Sequence, residues 1–263
     1  MLEVKNLTIK AGTQTLLQNI SFSLSPGKCL GLTGASGSGK TTIIKAIMGI
    51  LPKSCALTAG SIFLDGVELN KLSGKKRRSF CGSVMGFIPQ SPMTAFDPYQ
   101  QIGTQMIETF HICLKLPKEK ARILSLEQLE KMNLKDGNRI MNTYPGQLSG
   151  GMLQRIAMAC LAGMSPQYIL ADEPTSALDE ENRNHLLKLL QGQLHSAGIL
   201  FITHDLAALS SLCTETMILD KKTIIEQQNT KDIFYHPQQA WTKQFVSTLH
   251  MREGGGWDWK DLK

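Results

Sequence analysis

The sequence lacks the long apolar stretches of membrane-spanning and exported chains. No apolar run approaches the roughly 18 residues that a transmembrane helix needs. The first five residues have neither the basic stretch nor the apolar run of a signal peptide. These absences predict a soluble, intracellular protein.

Metal-binding and disulfide patterns are also missing. None of the six cysteines forms a C-x-x-C pair, and the six histidines are dispersed along the chain. We therefore expect reduced thiols and no zinc site, iron–sulfur cluster or disulfide framework. The net charge of +6 permits an anionic partner, but a mildly basic surface explains it equally well. The basic run at residues 75–78 is interpreted as a solvated helix start rather than a nucleic-acid patch.

Strand and helix patterns alternate on both sides of a helical insert. Strand patterns occur at residues 2–9, 29–32, 61–64, 84–88, 168–171, 199–203 and 216–219. Residues 41–50 and 117–134 have helical spacing, and strand patterns vanish from about 95 to 164. This arrangement predicts a parallel α/β core with an inserted helical subdomain. The chain from Gly254 onward is expected to be loosely ordered.

A glycine-rich segment directly follows the strand predicted at residues 29–32. It comprises Gly34, Ala35, Ser36, Gly37, Ser38, Gly39, Lys40, Thr41 and Thr42. The segment fits G-x-x-x-x-G-K-[ST] between a strand and a helix, which is typical of a phosphate-binding loop. Glycines let backbone N–H groups surround phosphate oxygens, and the helix N-terminus adds a positive dipole end. Lys40 is predicted to bridge the β- and γ-phosphates, and the Thr41 hydroxyl to ligate Mg²⁺.

Two adjacent acids, Asp172 and Glu173, end the apolar strand predicted at residues 168–171. Neighbouring carboxylates repel each other, but beside a phosphate loop each has a chemical role. Asp172 is predicted to hold Mg²⁺, directly or through water, and Glu173 to polarise the attacking water as general base.

A third motif, L-S-G-G-M-L-Q-R, begins at Leu148 and opens a helical stretch. Together the three motifs resemble the ABC ATPase family, and the resemblance extends over nearly the whole chain. It implies a RecA-like P-loop NTPase core with an antiparallel β part and an inserted helical signature subdomain. The implied boundaries are 1–94 with 165–230 for the core, 95–164 for the helical subdomain and 231–263 for a C-terminal tail.

The resemblance also implies roles for individual residues. Gln90 matches the family's Q-loop and implies contact with Mg²⁺ and a part in catalysis, and His204 matches the switch histidine that contacts the γ-phosphate. Residues 176–179, Ser-Ala-Leu-Asp, match the D-loop. The second phosphate cradle comprises Ser149, Gly150 and Gly151. In the family it acts on ATP held by the phosphate loop of a second subunit.

Two positions depart from the family pattern. Met152 replaces the usual glutamine of the signature, away from the phosphate. Ala11 stands where an aromatic ring usually stacks on adenine, and no Tyr, Phe or Trp lies between Met1 and Ser21. The chain is therefore expected to lack that adenine platform, unless a ring from elsewhere or an apolar side chain fills the gap.

Finer features resemble the oligopeptide, dipeptide and nickel importer branch, and most of all nickel-importer ATPase subunits of the D type. They include residues 90–98, Gln-Ser-Pro-Met-Thr-Ala-Phe-Asp-Pro, the tail at 232–237, and the absence of a longer C-terminus with a cysteine-containing motif. The implied function is ATP-driven import of nickel or a metal–chelate complex, with peptides as the alternative cargo. The implied partners are a related second ATPase, two transmembrane permease subunits and, indirectly, an extracytoplasmic binding protein, with no nucleic acid. The implied location is the cytoplasmic face of the membrane.

Other P-loop classes fit less well. DNA-repair members of the family insert hundreds of residues between the positions of Gln90 and Ser149, where this chain has 58. Translation-factor members carry two ATPase units, and this chain has one phosphate loop. A small-molecule kinase would not need the signature, the D-loop and His204 together.

Overall fold

The structure is a computed structural model that describes residues 1–176 and 178–252. The chain divides into two compact units, one made of residues 1–78 with the segment from 198 onward, the other of residues 79–197. The predicted loose segment from Gly254 and Ala177 of the predicted D-loop lie outside the described residues.

The strands and helices are numbered here in chain order. The strands are β1 (Leu2–Ala11), β2 (Gln14–Leu24), β3 (Cys29–Gly34), β4 (Cys55–Leu64), β5 (Val67–Glu68), β6 (Met85–Ile88), β7 (Tyr168–Asp172), β8 (Gly198–Ile202), β9 (Glu215–Asp220) and β10 (Thr223–Asn229). The helices are α1 (Lys40–Met48), α2 (Gly74–Arg78), α3 (Ile102–Leu114), α4 (Lys118–Lys131), α5 (Gly137–Met141), α6 (Gly150–Met164), α7 (Glu180–Gln193), α8 (Leu206–Leu212), α9 (Thr230–Tyr235) and α10 (Ala240–Arg252). None of the helices in the described part is both long and apolar enough to cross a membrane.

The first unit contains an antiparallel sheet in the order β2-β1-β4-β5. Apolar residues of β1 alternate with more exposed ones at the start of the strand, and Leu2 and Val4 are buried. Asp65 and Gly66 join β4 to β5 with φ angles of 48° and 82°. Two successive positive φ angles match the twist of a tight hairpin, which explains the Asp-Gly pair.

The same unit contains a second group of strands, in which β3 lies between β8 and β9 and is parallel to both. All six residues of β3 and all five of β8 are buried, as expected for parallel strands covered on both faces. β10 pairs antiparallel with β9. Because parallel strands end at the same edge, the loops after β3 and β8 leave this group on the same side.

Helix α1 packs Ile43, Ile44 and Ile47 into the core of the first unit. It ends at Gly49, whose φ of 73° gives the left-handed conformation common at helix C-termini. The predicted helix included Ile50, but this residue follows the glycine and is half exposed, so that prediction was wrong.

Arg77 departs from the solvated role predicted for the basic run. Its Nη2 donates hydrogen bonds to the backbone carbonyls of Ala46 and Ile47, the latter at 2.9 Å. A guanidinium at the last carbonyls of α1 satisfies acceptors that the helix leaves open and complements its dipole.

A buried carboxylate fastens the start of α10 to β10. Glu226 accepts hydrogen bonds from the Gln238 and Gln239 backbone N–H groups at 2.8 and 3.1 Å, and from the Thr242 hydroxyl at 2.5 Å. The Gln228 side chain donates a further bond at 2.5 Å. Burial alone raises the pKa of Glu226, but these four donors outweigh it and hold the pKa below its usual value.

The second unit places the parallel pair β6 and β7 with four helices, α3 to α6, that occupy most of the chain between them. Within residues 89–167, all of which the structure describes, no strand forms. Helices α3, α4 and α6 pack on one another. Buried Met106, Phe110, Leu129 and Leu153 contribute to their core.

Candidate functional site

The loop after β3 is shaped by glycines that no other residue could replace without strain. Gly37 and Gly39 have φ angles of 75° and 107°, a region that other residues rarely adopt. A Cβ atom at Gly39 would lie 2.7 Å from a methyl carbon of Leu17, and one at Gly34 would collide with the carbonyl of Leu219. The tight turn that the sequence predicts is therefore required at these positions.

The charged and polar groups of this loop fit an anionic ligand. The Lys40 side chain is 7% exposed, and its Nζ donates to the carbonyls of Gly34 and Ala35, both at 3.0 Å. The Ser38 hydroxyl is buried and has no hydrogen-bond partner among the described residues. No side chain caps the N-terminus of α1 at Gly39, so the positive end of the helix faces the loop unneutralised.

The remaining residues of the segment are accessible to solvent. Ala35, Ser36, Gly37 and Thr41 are exposed, and Thr42 is half-buried. Thr41 lies in the first turn of α1, the position that a hydroxyl ligand of Mg²⁺ requires beside the phosphate loop.

His204 lies in the same unit as the phosphate loop and follows β8. Leu32 of β3 stands opposite Ile202 of β8 in the parallel ladder, and the Thr203 N–H donates to the Leu32 carbonyl at 3.2 Å. His204 is exposed, and the next residue, Asp205, caps α8 by accepting from the Ala208 N–H at 3.1 Å. The structure thus brings His204 to the strand edge from which the phosphate loop also leaves.

The second unit brings together Gln90 and the two predicted carboxylates. Ile88 of β6 stands opposite Ala171 of β7 in parallel register, so the residues that follow the two strands leave the same edge. Asp172 is buried and Glu173 half-buried. The Gln90 Nε2 donates to Glu173 Oε2 at 3.2 Å.

Glu173 has an unusual backbone conformation. Its φ is 46°, which is uncommon for a residue with a side chain and persists only where surrounding contacts hold it. The Ser176 N–H and hydroxyl both donate to the Glu173 carbonyl, at 3.2 and 3.0 Å. Strained residues cluster at functional positions. The backbone conformation of Glu173 therefore indicates a functional role independently of its carboxylate.

The predicted second cradle also lies in this unit, at the start of α6. Ser149 is the N-cap residue, and its Oγ accepts from the Met152 N–H at 3.3 Å. The hydroxyl also carries a hydrogen that can be donated to an anion. A Cβ atom at Gly150 would meet nothing within 4 Å, whereas one at Gly151 would lie 3.2 Å from Asn182. Gly150 therefore leaves the helix start open.

Asn182 is a residue that sequence reasoning missed. Arg155 of α6 donates from Nε and Nη2 to Asn182 Oδ1 at 3.1 and 3.0 Å. Asn182 in turn donates from its backbone N–H and Nδ2 to the Asp179 carboxylate, at 2.9 and 2.8 Å. These bonds lower the pKa of Asp179, the backbone bond most. These bonds join α6 to the predicted D-loop. No single sequence motif predicts a link between Arg155 and Asn182, which are 27 positions apart.

The structure also defines the position of Ala11, where the sequence predicts that an adenine platform is missing. Ala11 ends β1, opposite Gln14 of β2 and Cys55 of β4, and is half-buried. The predicted site residues thus fall into two groups, with the phosphate loop, His204 and Ala11 in the first unit and the others in the second.

Comparison with known proteins gives the family. A model of the ABC transporter family matches residues 17–176. The chain is 33% identical over 252 residues to the metal-staphylopine import system ATP-binding protein CntD of Staphylococcus aureus, covering 94% of this chain and 93% of that protein. It is 36% identical to the probable D,D-dipeptide transport ATP-binding protein DdpD of Escherichia coli (86% and 70% covered) and 32% identical to the oligopeptide transport ATP-binding protein OppD of Bacillus subtilis (97% and 74%).

The fold is similar to that of a solved ATP-binding cassette. The post-hydrolysis dimer of MJ0796 bound to ADP and Pi superimposes with a TM-score of 0.77 at 25% identity, covering 88% of this chain and 99% of that one. The prediction of an α/β fold with a P-loop NTPase core, an antiparallel β part and an inserted helical subdomain is confirmed, since the chain has the ABC ATPase fold. The three similar proteins named above are ATP-binding proteins of import or transport systems. The chain therefore belongs to the ABC transporter family.

Proposed function

We propose that this chain binds Mg-ATP and hydrolyses it as one subunit of an ABC import complex. The observation that carries the proposal is the start of α1, where the helix lacks a side-chain cap and the loop before it is built on glycines with positive φ. A buried ammonium, Lys40, stands in that loop. These groups are the ones that bind phosphate oxygens in nucleotide sites.

The remaining roles follow from the chemistry of each side chain. Thr41, Asp172 and Gln90 would hold Mg²⁺, whose charge stabilises the negative phosphates. Glu173 accepts the proton of the attacking water, and its bond with Gln90 orients the carboxylate. His204 donates a hydrogen bond to the γ-phosphate.

The signature residues act in a second copy of the fold. We assign Ser149, Gly150 and Gly151 to the ATP held by a partner ATPase, and the partner's equivalent residues to the ATP held here. The MJ0796 cassette, which is solved as a dimer with ADP and Pi, supports this arrangement. The transport names of the relatives support two permease subunits, an extracytoplasmic binding protein and a place at the cytoplasmic face of the membrane.

We also propose that the helical subdomain spans residues 95–164, between core segments 1–94 and 165–230, with a tail at 231–263. The boundaries at 95 and 164 are supported by helices α3 to α6, which follow one another with no strand between them.

The test of hydrolysis is Glu173→Gln in the complete transporter. This change keeps the shape of the side chain and deletes the base, so steady-state turnover should fall by about 100-fold or more. ATP binding should remain. Glu127→Gln, at an exposed position of α4, is the matched control and should keep normal turnover. Near-normal hydrolysis by the Glu173 variant would overturn the assignment.

For the cargo, we propose nickel, free or as a metal–chelate complex. The similarity to CntD, named for metal-staphylopine import, supports a metal chelate. The second candidate is a peptide, favoured by the similarity to the DdpD and OppD proteins. Among the described residues no group of three or more His, Cys, Asp or Glu side chains could hold a metal ion, which fits cargo contact by other subunits.

Uptake by proteoliposomes that contain the whole complex distinguishes the cargoes. The probes are Ni²⁺ alone, Ni²⁺ with a small amino-carboxylate chelator, and a labelled dipeptide or oligopeptide. ATP-dependent entry of nickel in either form supports the proposal. Entry of the peptide alone would replace it with the second candidate and leave the ATPase assignment intact.

A further inference from the structure

Two cysteines that are far apart in the sequence have their thiols close together in the first unit. Cys29 is the first residue of β3, and Cys213 directly follows α8. Their Sγ atoms are 3.3 Å apart, and both side chains are buried, with exposures of 1% and 5%. Both are free thiols.

The backbone holds both thiols in this arrangement. The Thr214 N–H, next to Cys213, donates to the Cys29 carbonyl at 3.1 Å. One residue further along each of the two segments, Leu30 stands opposite Glu215 in the parallel pairing of β3 with β9. The Cys213 sulfur lies under Gly31, where a Cβ atom would be 3.2 Å from it. A bonded pair of sulfurs is about 2.05 Å apart, so the two sulfurs must approach each other by about 1.3 Å for a bond to form.

We propose that Cys29 and Cys213 form an oxidisable dithiol site that a peroxide converts to an intrachain disulfide. One thiol attacks the peroxide, which forms an S–O bond, breaks the O–O bond and releases water with the thiol proton. The second thiol attacks the resulting sulfenic sulfur, which forms the S–S bond, breaks the S–O bond and releases a second water. The two thiols lose two electrons and two protons, and hydrogen peroxide becomes two waters.

A polar cleft is lined by one residue of this pair, Cys29. Its volume is about 300 Å³, and its lining includes Cys29, Lys28, Ser25, Thr214 and Asn229. Hydrogen peroxide is small and polar enough to enter such a cleft. Burial, and then the neighbouring Cys213, raise the pKa of the Cys29 thiol, so little of it is the reactive thiolate at neutral pH.

The bond would join two segments that lead to the proposed nucleotide site. β3 begins at Cys29 and leads into the phosphate loop. Helix α8 lies between Asp205, the neighbour of His204, and Cys213. The two cysteines are 184 residues apart in sequence. Closing so long a loop restricts the unfolded chain far more than the folded one.

The experiment oxidises the full-length chain with hydrogen peroxide, alkylates the remaining thiols and maps disulfide-linked peptides by mass spectrometry. We expect one dominant linked peptide that joins Cys29 to Cys213. We also expect the melting temperature to rise by about 5 °C or more, and a dithiol reductant to reverse both changes.

Three variants provide the controls. Cys213→Ala should lose the linked peptide and the thermal shift, and Cys29→Ser serves if that variant fails to fold. Cys55→Ser removes a more exposed thiol of the same unit and should keep both effects. Oxidation that leaves Cys29 and Cys213 alkylated, or that links Cys81, Cys113 or Cys160 instead, would overturn the proposal. Because mapping needs no ATP, its outcome is independent of the ATPase assignment.

Discussion

At the scale of single residues, Lys40 makes the most specific contribution to the proposed phosphate site. Its ammonium donates to two loop carbonyls at 3.0 Å and lies at the start of α1. Lys40→Ala should weaken ATP affinity, because a charge-assisted contact is worth about 1.5–3 kcal/mol, or about 10- to 100-fold. Titration calorimetry with Mg-ATP measures the change.

The control for this prediction is Lys45→Ala, in the last turn of the same helix. It removes the same charge from the unit without touching the loop, so ATP affinity should stay within about twofold. Equal affinities for the Lys40 variant and the unmodified chain would contradict the assigned phosphate site.

Ala11 affects specificity for the base rather than affinity for phosphate. If this position faces adenine, the chain lacks a stacking contact worth roughly 1–3 kcal/mol in nucleic-acid sites. GTP should then bind nearly as well as ATP, since phosphate and Mg²⁺ contacts do not depend on the base. Ala11→Tyr should tighten ATP binding by on the order of 10- to 100-fold.

The measurement compares ATP, GTP and a base-free triphosphate on both chains. A strong preference of the unmodified chain for ATP over the base-free compound would mean that another residue holds the adenine. Ala11→Ser, which adds no ring, is the matched variant and should leave all three affinities unchanged.

At the scale of elements, Glu226 is the most testable link, because one carboxylate holds the first turn of α10. Glu226→Gln replaces an acceptor oxygen with an amide that faces donors, so the free energy of unfolding should fall by about 1–3 kcal/mol. Chemical denaturation at pH 7 measures this loss. Glu215→Gln, at an exposed position of β9, should cost less than about 0.5 kcal/mol. Equal free energies of unfolding for the Glu226 variant and the unmodified chain would show that the hydrogen bonds of Glu226 contribute nothing to stability.

The pH dependence of this link has a defined sign. The folded pKa of Glu226 is lowered, so its contribution is fully present above the unfolded pKa of about 4.3. The contribution is lost as pH falls through the lowered folded value. The difference in stability between the unmodified chain and the Gln variant should therefore shrink in acid.

Elements with strong local patterns could be predicted from the sequence, and those without could not. β3 and β7 are continuous apolar runs next to chemical motifs, and α1 has helical spacing, so their existence and type were predicted. β2 and β10 were missed because β2 mixes polar residues such as Gln18, Asn19 and Ser21 into its alternation, and β10 ends in Glu-Gln-Gln-Asn. Their strand state depends on pairing with β1 and β9, which no local pattern contains.

The site shows the same division. The motif residues could be named because each type at its spacing implies a chemistry. The bond from Gln90 to Glu173, the left-handed backbone of Glu173 and the Arg155–Asn182–Asp179 link all depend on tertiary contacts. The 3.3 Å approach of Cys29 and Cys213 joins residues 184 positions apart, and nothing in their local sequence indicates it.

At the scale of the whole molecule, the isolated chain should be a poor ATPase. Each proposed ATP site needs Ser149, Gly150 and Gly151 from a second subunit, so the purified monomer lacks the second phosphate cradle of its own site. Turnover should rise by at least about tenfold when the partner ATPase and the permease are added. The measurement is phosphate release at increasing protein concentration, with the oligomeric state determined by light scattering. Full activity in a monomeric sample would contradict the two-subunit site.

The place of β3 also has a consequence for biosynthesis. Its two neighbours, β8 and β9, begin at residues 198 and 215, far downstream of Gly34. At roughly 5–20 residues per second, a ribosome needs roughly 10 to 30 s to reach β8 after completing β3. During that interval a six-residue strand, all of whose residues are buried in the folded protein, emerges without either of its neighbouring strands. The strand that leads to the phosphate loop therefore needs protection from association with other chains until the last quarter of the protein is being made.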